Sequence, residues 1–138
     1  MSVSSVSLSR QTFRKSERLS SRKVIQELSL NGKNIRIHPI RLLWLSLVLN
    51  QNVFAQVAFS VPKRNFKNAT DRNRIKRRMR EAYRKNKSLI YPLISQKKKQ
   101  FALLFVYSGK EIVTYMETEE KLIATLNRFA EVIQKNNN

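Results

Sequence analysis

Residues 69–85 read ATDRNRIKRRMREAYRK. Ile75, Met79, Ala82 and Tyr83 recur at i, i+4, i+7 and i+8, the interval that sets side chains along one stripe of an α-helix. At ~100° per residue, Lys76, Arg80 and Arg84 fall on one flank of that stripe with Asn73 and Arg77, and Arg74, Arg78 and Lys85 on the other. Arg72 sits near the stripe's edge in the first turn. The solvent arc carries eight cations and is relieved only by Asp71 and Glu81. Like charges at i, i+4 cost a few tenths of a kcal/mol each, so a helix that repeats them is built for an anionic partner. Arginine predominates, and its planar fork suits phosphates and base edges. The apolar stripe is wide enough to dock on a sheet and too narrow for a helix that lies on a membrane.

The rest of the chain fits that reading. Its 138 residues suit one domain, and 41% of them are hydrophobic, enough for a real core. Basic residues number 28 against 9 acidic ones, a net charge of +19. Residues 61–100 hold 15 of the basic and 2 of the acidic residues, whereas residues 101–138 hold 4 and 5. Such a charge destabilises a compact domain by self-repulsion unless a polyanion neutralises it. There is no cysteine and a single histidine, which excludes disulfides, Cys-type zinc fingers, iron–sulfur clusters, thiol nucleophiles and a His pair on a metal. No apolar run reaches the ~18–20 residues that span a bilayer; the longest, Leu42–Leu49, is broken by Ser46. Residues 1–12 read as a disordered lead-in without the features of a secretory signal, so a cytoplasmic chain is expected.

Outward from the basic helix, Arg14–Leu28 reads as a first helix with Leu19, Val24, Ile25 and Leu28 as its stripe and Asn31-Gly32 as its stop. Ile35–Ile37 is expected as a short strand. Ile40–Leu49 and Val53–Val61 are expected as a hairpin turning at Asn50–Asn52. Phe54, Gln56, Ala58 and Ser60 then share a mixed, open face of the second strand. Phe101–Tyr107 reads as a strand covered on both faces, and Thr118–Gln134 as a helix capped by Thr118. The domain is expected to occupy residues 13–135, with 136–138 as a tail.

The longer run VPKRNFKNATDRNRIKRRMREAYR, Val61 to Arg84, resembles the signature of the bacterial ribonuclease P protein subunit. The matching residues are Lys63 and Arg64, Ala69, Arg72-Asn73-Arg74-Ile75-Lys76-Arg77, and Arg80-Glu81-Ala82-Tyr83-Arg84. Lys67 and Thr70 depart from it, standing where many members have Gly and Val. The resemblance implies an α+β domain in the order α-β-β-β-α-β-α. A four-stranded sheet packs on helices through a left-handed βαβ crossover, the ribosomal protein S5 domain 2-like arrangement. It implies a protein that binds a large catalytic RNA and helps it cut the 5′ leader from precursor tRNA, with Mg²⁺ held by the RNA and none by the protein alone. Lys63, Arg64, Lys67, Arg72, Asn73, Arg74, Lys76, Arg77, Arg80 and Arg84 are the expected RNA-binding residues. Phe13, Arg14, Arg18, Arg22, Trp44, Phe54, Gln56 and Ser60 are the candidates for a leader cleft between the first helix and the sheet. The family often places aromatics on that helix; here Ile25 and Ser29 stand at those places.

The protein's own residues do not make a nuclease. His38 is alone. Asp71 and Glu81 are ten residues and ~15 Å apart along a helix, too far to share a metal. The acids at positions 111–120 lie where helix capping accounts for them. The expected partners are the catalytic RNA and precursor tRNA, with no membrane and a monomeric protein. The alternative is a structural RNA-binding protein of the ribosomal type. Lys97-Lys98-Lys99 stays open between an RNA contact and a solvated loop.

Overall fold

A computed structural model describes residues 11–135. The expected tail and all but the last two residues of the expected lead-in lie outside the described residues. A 3₁₀ turn at Lys15–Glu17 leads to α1 (Arg22–Asn31), β1 (Lys33–Ile37), β2 (Ile40–Ser46) and β3 (Ala55–Ser60). Then come α2 (Ala69–Asn86), a 3₁₀ turn at Lys87–Leu89, α3 (Tyr91–Lys97), β4 (Phe101–Tyr107) and α4 (Tyr115–Lys135). The class is α+β, as expected, with α3 as an addition; Pro92 in its first turn is the signal that marks it.

The four strands lie in the order β1-β2-β4-β3. β2 pairs antiparallel with both β1 and β4, and β3 pairs parallel with β4. The expected hairpin between the second and third strands is therefore incorrect: β4 lies between them. The tight turn at His38-Pro39 joins β1 to β2 instead, and the 47–54 segment carries the chain across the end of β4. β4 is thus buried by a strand on each side, which its unbroken apolar run requires.

Both sheet faces are covered. On one, Ile40, Leu42 and Trp44 of β2, Val57 of β3 and Leu103 and Phe105 of β4 pack with Ile75, Met79, Ala82 and Tyr83 of α2 and Leu122, Leu126, Phe129 and Ile133 of α4. On the other, Leu43, Ala102 and Leu104 pack with Leu19 and Leu28. α1 sits on β2 and β4, while α2 packs on β3 and α4 on β1 and β2.

Two helix starts differ from expectation. The first helix begins at Arg22, because Ser21 caps it by accepting from the Val24 N–H at 3.3 Å, while Arg18 bridges to Val57 as an extra sheet residue. Its end is as read: the Gly32 N–H bonds Leu28 O at 2.9 Å, and a Cβ at Gly32 would meet that oxygen at 2.3 Å. The last helix begins at Tyr115. Its cap is Thr114, whose hydroxyl accepts from the Glu117 N–H at 3.1 Å, and not Thr118, which is buried and donates to Thr114 O.

Candidate nucleic-acid interface

α2 is the basic helix as read, with Ile75, Met79, Ala82 and Tyr83 as its buried stripe. Asn68 caps it, accepting from the Thr70 N–H at 2.9 Å. Its two flanks differ in what they touch. On the flank toward α4, Arg78 donates to Val113 O, and the Lys85 ammonium lies 5.6 Å from the Tyr115 ring centre. On the other flank Asn73, Arg77 and Arg80 are exposed and Lys76 is half-buried. Lys63, Arg64 and Lys67 are exposed in the turn between β3 and α2, and Arg74 is exposed on α2.

Two of the expected RNA contacts are engaged within the protein. Arg72 donates to Phe66 O at 2.7 Å and to Lys67 O at 2.9 Å, closing the loop before α2. Arg84 pairs with Glu81 and donates to Gln11 O at 3.1 Å. Its hydrogen bond holds the Glu81 carboxyl below the usual carboxylate range.

The groove lies on the opposite side of the sheet. α1 covers β2 and β4 and leaves Ala58 and Ser60, on the outward row of β3, half-buried, while Gln56 on the same row is buried. Ser21, the cap of α1, and Ile25 and Ser29 within it, spaced four apart, face Gln56, Ala58 and Ser60 of β3, spaced two apart. Two hollows of about 760 and 460 Å³ lie along this line. Lys15, Arg18, Asn50 and Gln51 line the first, and Arg41, Leu43 and Phe59 the second. Ile25 and Ser29 both line this groove.

Of the expected cleft residues, Arg18, Gln56 and Ser60 line the groove, and Arg22 is exposed on α1 beside Ser21. Arg14 is exposed just before the first 3₁₀ turn. Three others are placed elsewhere. Trp44 is 4% exposed on the far face, its ring against Phe101 and Phe129. Phe54 is 1% exposed and packs on Tyr91; β3 begins one residue later, so alternation does not reach it. Phe13 packs edge-on against Phe59 and Tyr83 in the core beneath the sheet. Lys15, Arg41, Asn50 and Gln51 were not legible as groove residues, since only the packing of α1 defines the opening.

A buried polar cluster fixes the groove's near wall. The Lys87 ammonium meets Glu17 Oε1 at 2.7 Å, with both side chains under a tenth exposed. Lys87 also donates to Thr12 O. The Tyr91 hydroxyl donates to the same carboxylate oxygen at 2.6 Å and lies 3.2 Å from the Tyr83 hydroxyl. Burial pushes the phenols of Tyr83 and Tyr91 well above their ordinary value. Next to this cluster, the Leu19 N–H donates to Val57 O at 2.9 Å and the Gln56 amide donates to Ser16 O at 3.1 Å. Residues 15–19 are thereby strapped along the edge of β3.

Among the described residues, no group of three or more His, Asp or Glu is placed to hold a metal. Glu17 and Glu81 are each paired with a cation, Lys87 and Arg84 respectively. No helix among the described residues is long and apolar enough to cross a membrane.

These features define a small basic α+β domain with a cationic helix beneath, and an open groove above, one edge strand. Residues 13–130 match the Ribonuclease P family. The chain is 30% identical over 116 residues to the ribonuclease P protein component of Porphyromonas gingivalis, covering 84% of this chain and 85% of that protein. It is 31% identical over 114 residues to that of Chlorobium phaeobacteroides, covering 75% and 78%. The solved RNase P protein from Thermotoga maritima superposes with a TM-score of 0.64 at 26% identity, over 81% of this chain and 96% of that one. The Staphylococcus aureus RNase P protein shares the fold, with a TM-score of 0.61 at 20% identity over 84% and 96%. The chain belongs to the ribonuclease P protein family, and with that membership comes a role in tRNA processing within a ribonuclease holoenzyme.

Proposed function

We propose that this chain binds the catalytic RNA of ribonuclease P and holds the 5′ leader of precursor tRNA while the RNA cleaves it. The observation that carries the reading is the separation of two surfaces on β3. The free flank of α2 lies beneath the strand and the groove lies above it, with Lys63 and Arg64 in the turn between. Asn73, Arg74, Lys76, Arg77 and Arg80, with Lys63, Arg64 and Lys67, neutralise phosphates of the folded RNA. Arg72 and Arg84 act through the loops they tie.

The groove takes a single strand. Lys15, Arg18 and Arg41 offer charge to its backbone, and Gln56, Ser29 and Ser60 offer hydrogen bonds at its floor and walls. A leader varies in sequence, and cations that track its phosphate backbone bind it without reading bases. In this reading Mg²⁺ is held by the RNA, where it supplies charge neutralisation at the scissile phosphate. The protein's part is to lower the Mg²⁺ that the RNA requires. The holoenzyme works in the cytoplasm.

The experiment is cleavage of precursor tRNA at low Mg²⁺ by protein alone, cognate RNA alone, and both. Cleavage only by the pair, or much faster by the pair, supports the reading. Unchanged rates on adding protein would leave a structural RNA-binding protein of the ribosomal type.

A further inference from the structure

The groove's second hollow does not end at β3. Arg41 lines it together with Ser60 and Val106. Register sets these three in one row across the sheet: Ser60 opposes Val106, Val106 opposes Arg41, and Arg41 opposes Arg36 on β1. Ile35, Ile37, Ile40 and Leu42 belong to the core beneath the sheet, so alternation turns Arg36 and Arg41 to the face that carries the groove. β1 is an edge strand, and Arg36 is exposed on it. With ~4.8 Å between neighbouring strands, the row carries Arg36 about 14 Å beyond Ser60.

Two arginines are a costly choice for facing positions. Directly opposed residues of an antiparallel pair hold their Cβ atoms ~4.5–5.5 Å apart, and like charges there are destabilising. Neither arginine pairs with a carboxylate among the described residues. The one side-chain bond at the pair is to a neutral group. The Arg41 Nε donates to Asn34 Oδ1 at 3.1 Å, from two residues before Arg36 on the same face of β1. That bond braces the Arg41 stem and leaves its two terminal nitrogens without a partner among the described residues. The Arg36 guanidinium has none among them either.

Two guanidinium groups on facing positions, one of them braced, offer N–H donors to the oxygens of a single phosphate. The pair is continuous with the groove through Arg41 and lies on the sheet face opposite α2, so the strand in the groove supplies that phosphate. We propose that Arg36 and Arg41 clamp one backbone phosphate of the single strand that leaves the groove, and so lead it across β2 and off the β1 edge. The inference rests on the reading of the groove as the leader's site, given above. It adds a contact outside the groove and a course for the strand beyond it.

The test measures binding of precursor tRNA to the assembled holoenzyme over a range of salt concentrations, with a leader long enough to cross the sheet and with a leader of one nucleotide. The proteins are wild type, the double variant Arg36→Gln, Arg41→Gln, and the double variant Arg36→Lys, Arg41→Lys. With the long leader, the Gln variant should flatten the plot of log affinity against log salt by about 0.7, the share of one phosphate of a single strand. With the one-nucleotide leader the Gln variant should match wild type, and its affinity for the catalytic RNA should be unchanged. The Lys variant should keep the wild-type slope with both leaders. Arg36→Glu, at a side chain with no partner to lose, repeats the comparison if the Gln variant proves less stable; it should weaken binding of the long leader only. Three results overturn the clamp and leave the groove standing: an unchanged slope with the long leader, a flattening of about 1.4, the share of two phosphates, or an equal loss with the short leader or the catalytic RNA. Wild-type holoenzyme that binds long and short leaders alike overturns the leader reading and the clamp together.

Discussion

Arg72 and Arg77 stand five residues apart in one motif and have different surroundings. Arg72 spends two N–H groups on the carbonyls of Phe66 and Lys67, whereas Arg77 is exposed. Arg72→Ala should therefore lower stability, by about 1–3 kcal/mol in urea unfolding, and weaken RNA binding only through the loop. Arg77→Ala should leave the unfolding midpoint unchanged and flatten the salt dependence of RNA affinity by about one phosphate. Identical effects of the two substitutions on folding would contradict this division. The exposed arc of α2 was readable from periodicity, because a helix repeats every 3.6 residues whatever it packs on. Which arginines on that arc bend back to carbonyls was not, since Phe66 O and Val113 O become neighbours only in the folded chain. The tyrosines give a second prediction at this scale. All four, Tyr83, Tyr91, Tyr107 and Tyr115, have phenols raised above the ordinary value of 10.0, chiefly by burial. The unfolded chain releases those protons first, so stability holds below about pH 10 and falls as pH rises beyond it. Phenolate absorbance in an alkaline titration should appear together with loss of structure; ionisation at pH 10 in the intact fold would contradict the burial.

At the scale of elements, the strap formed by residues 15–19 depends on Lys87, seventy positions from its partner Glu17. Removing one member of a buried pair leaves an uncompensated charge, so Lys87→Met should cost about 3–5 kcal/mol, and adding Glu17→Gln should restore much of it. Thermal or urea unfolding of the single and double variants checks this. The pair was not legible because nothing local marks Glu17 as buried on a segment that otherwise reads as basic surface. The strand assignments fell short for a related reason. Both faces of this sheet are covered, so β2 is apolar on both, and its pattern could not tell which face turns to α1. Trp44, a candidate for the cleft on that pattern, lies on the far face. The alternation along β3 did identify Gln56 and Ser60, whose polarity singles out the open row. α1 supplies a gain-of-function prediction. Ile25→Phe puts an aromatic on the groove wall, and stacking on a base is worth ~1–3 kcal/mol. The reconstituted complex should then bind precursor tRNA at least several-fold more tightly, with mature tRNA unaffected.

Taken whole, the molecule spreads a net charge of +19 over faces on opposite sides of its sheet. The neutral C-terminal third supplies α4 and β4, the frame on which α2 and β3 are held. In the proposed reading, position on that frame, rather than total charge, is what gives α2 the catalytic RNA and the groove the leader. The most direct test compares Arg77→Glu with Ser29→Glu, both at exposed helix positions, in two assays. One assay is affinity for the catalytic RNA, and the other is the preference of the assembled complex for precursor over mature tRNA. The prediction is that Arg77→Glu weakens the first and spares the preference, whereas Ser29→Glu spares the first and erodes the preference. Loss of both properties together in each variant would contradict the division of the two surfaces.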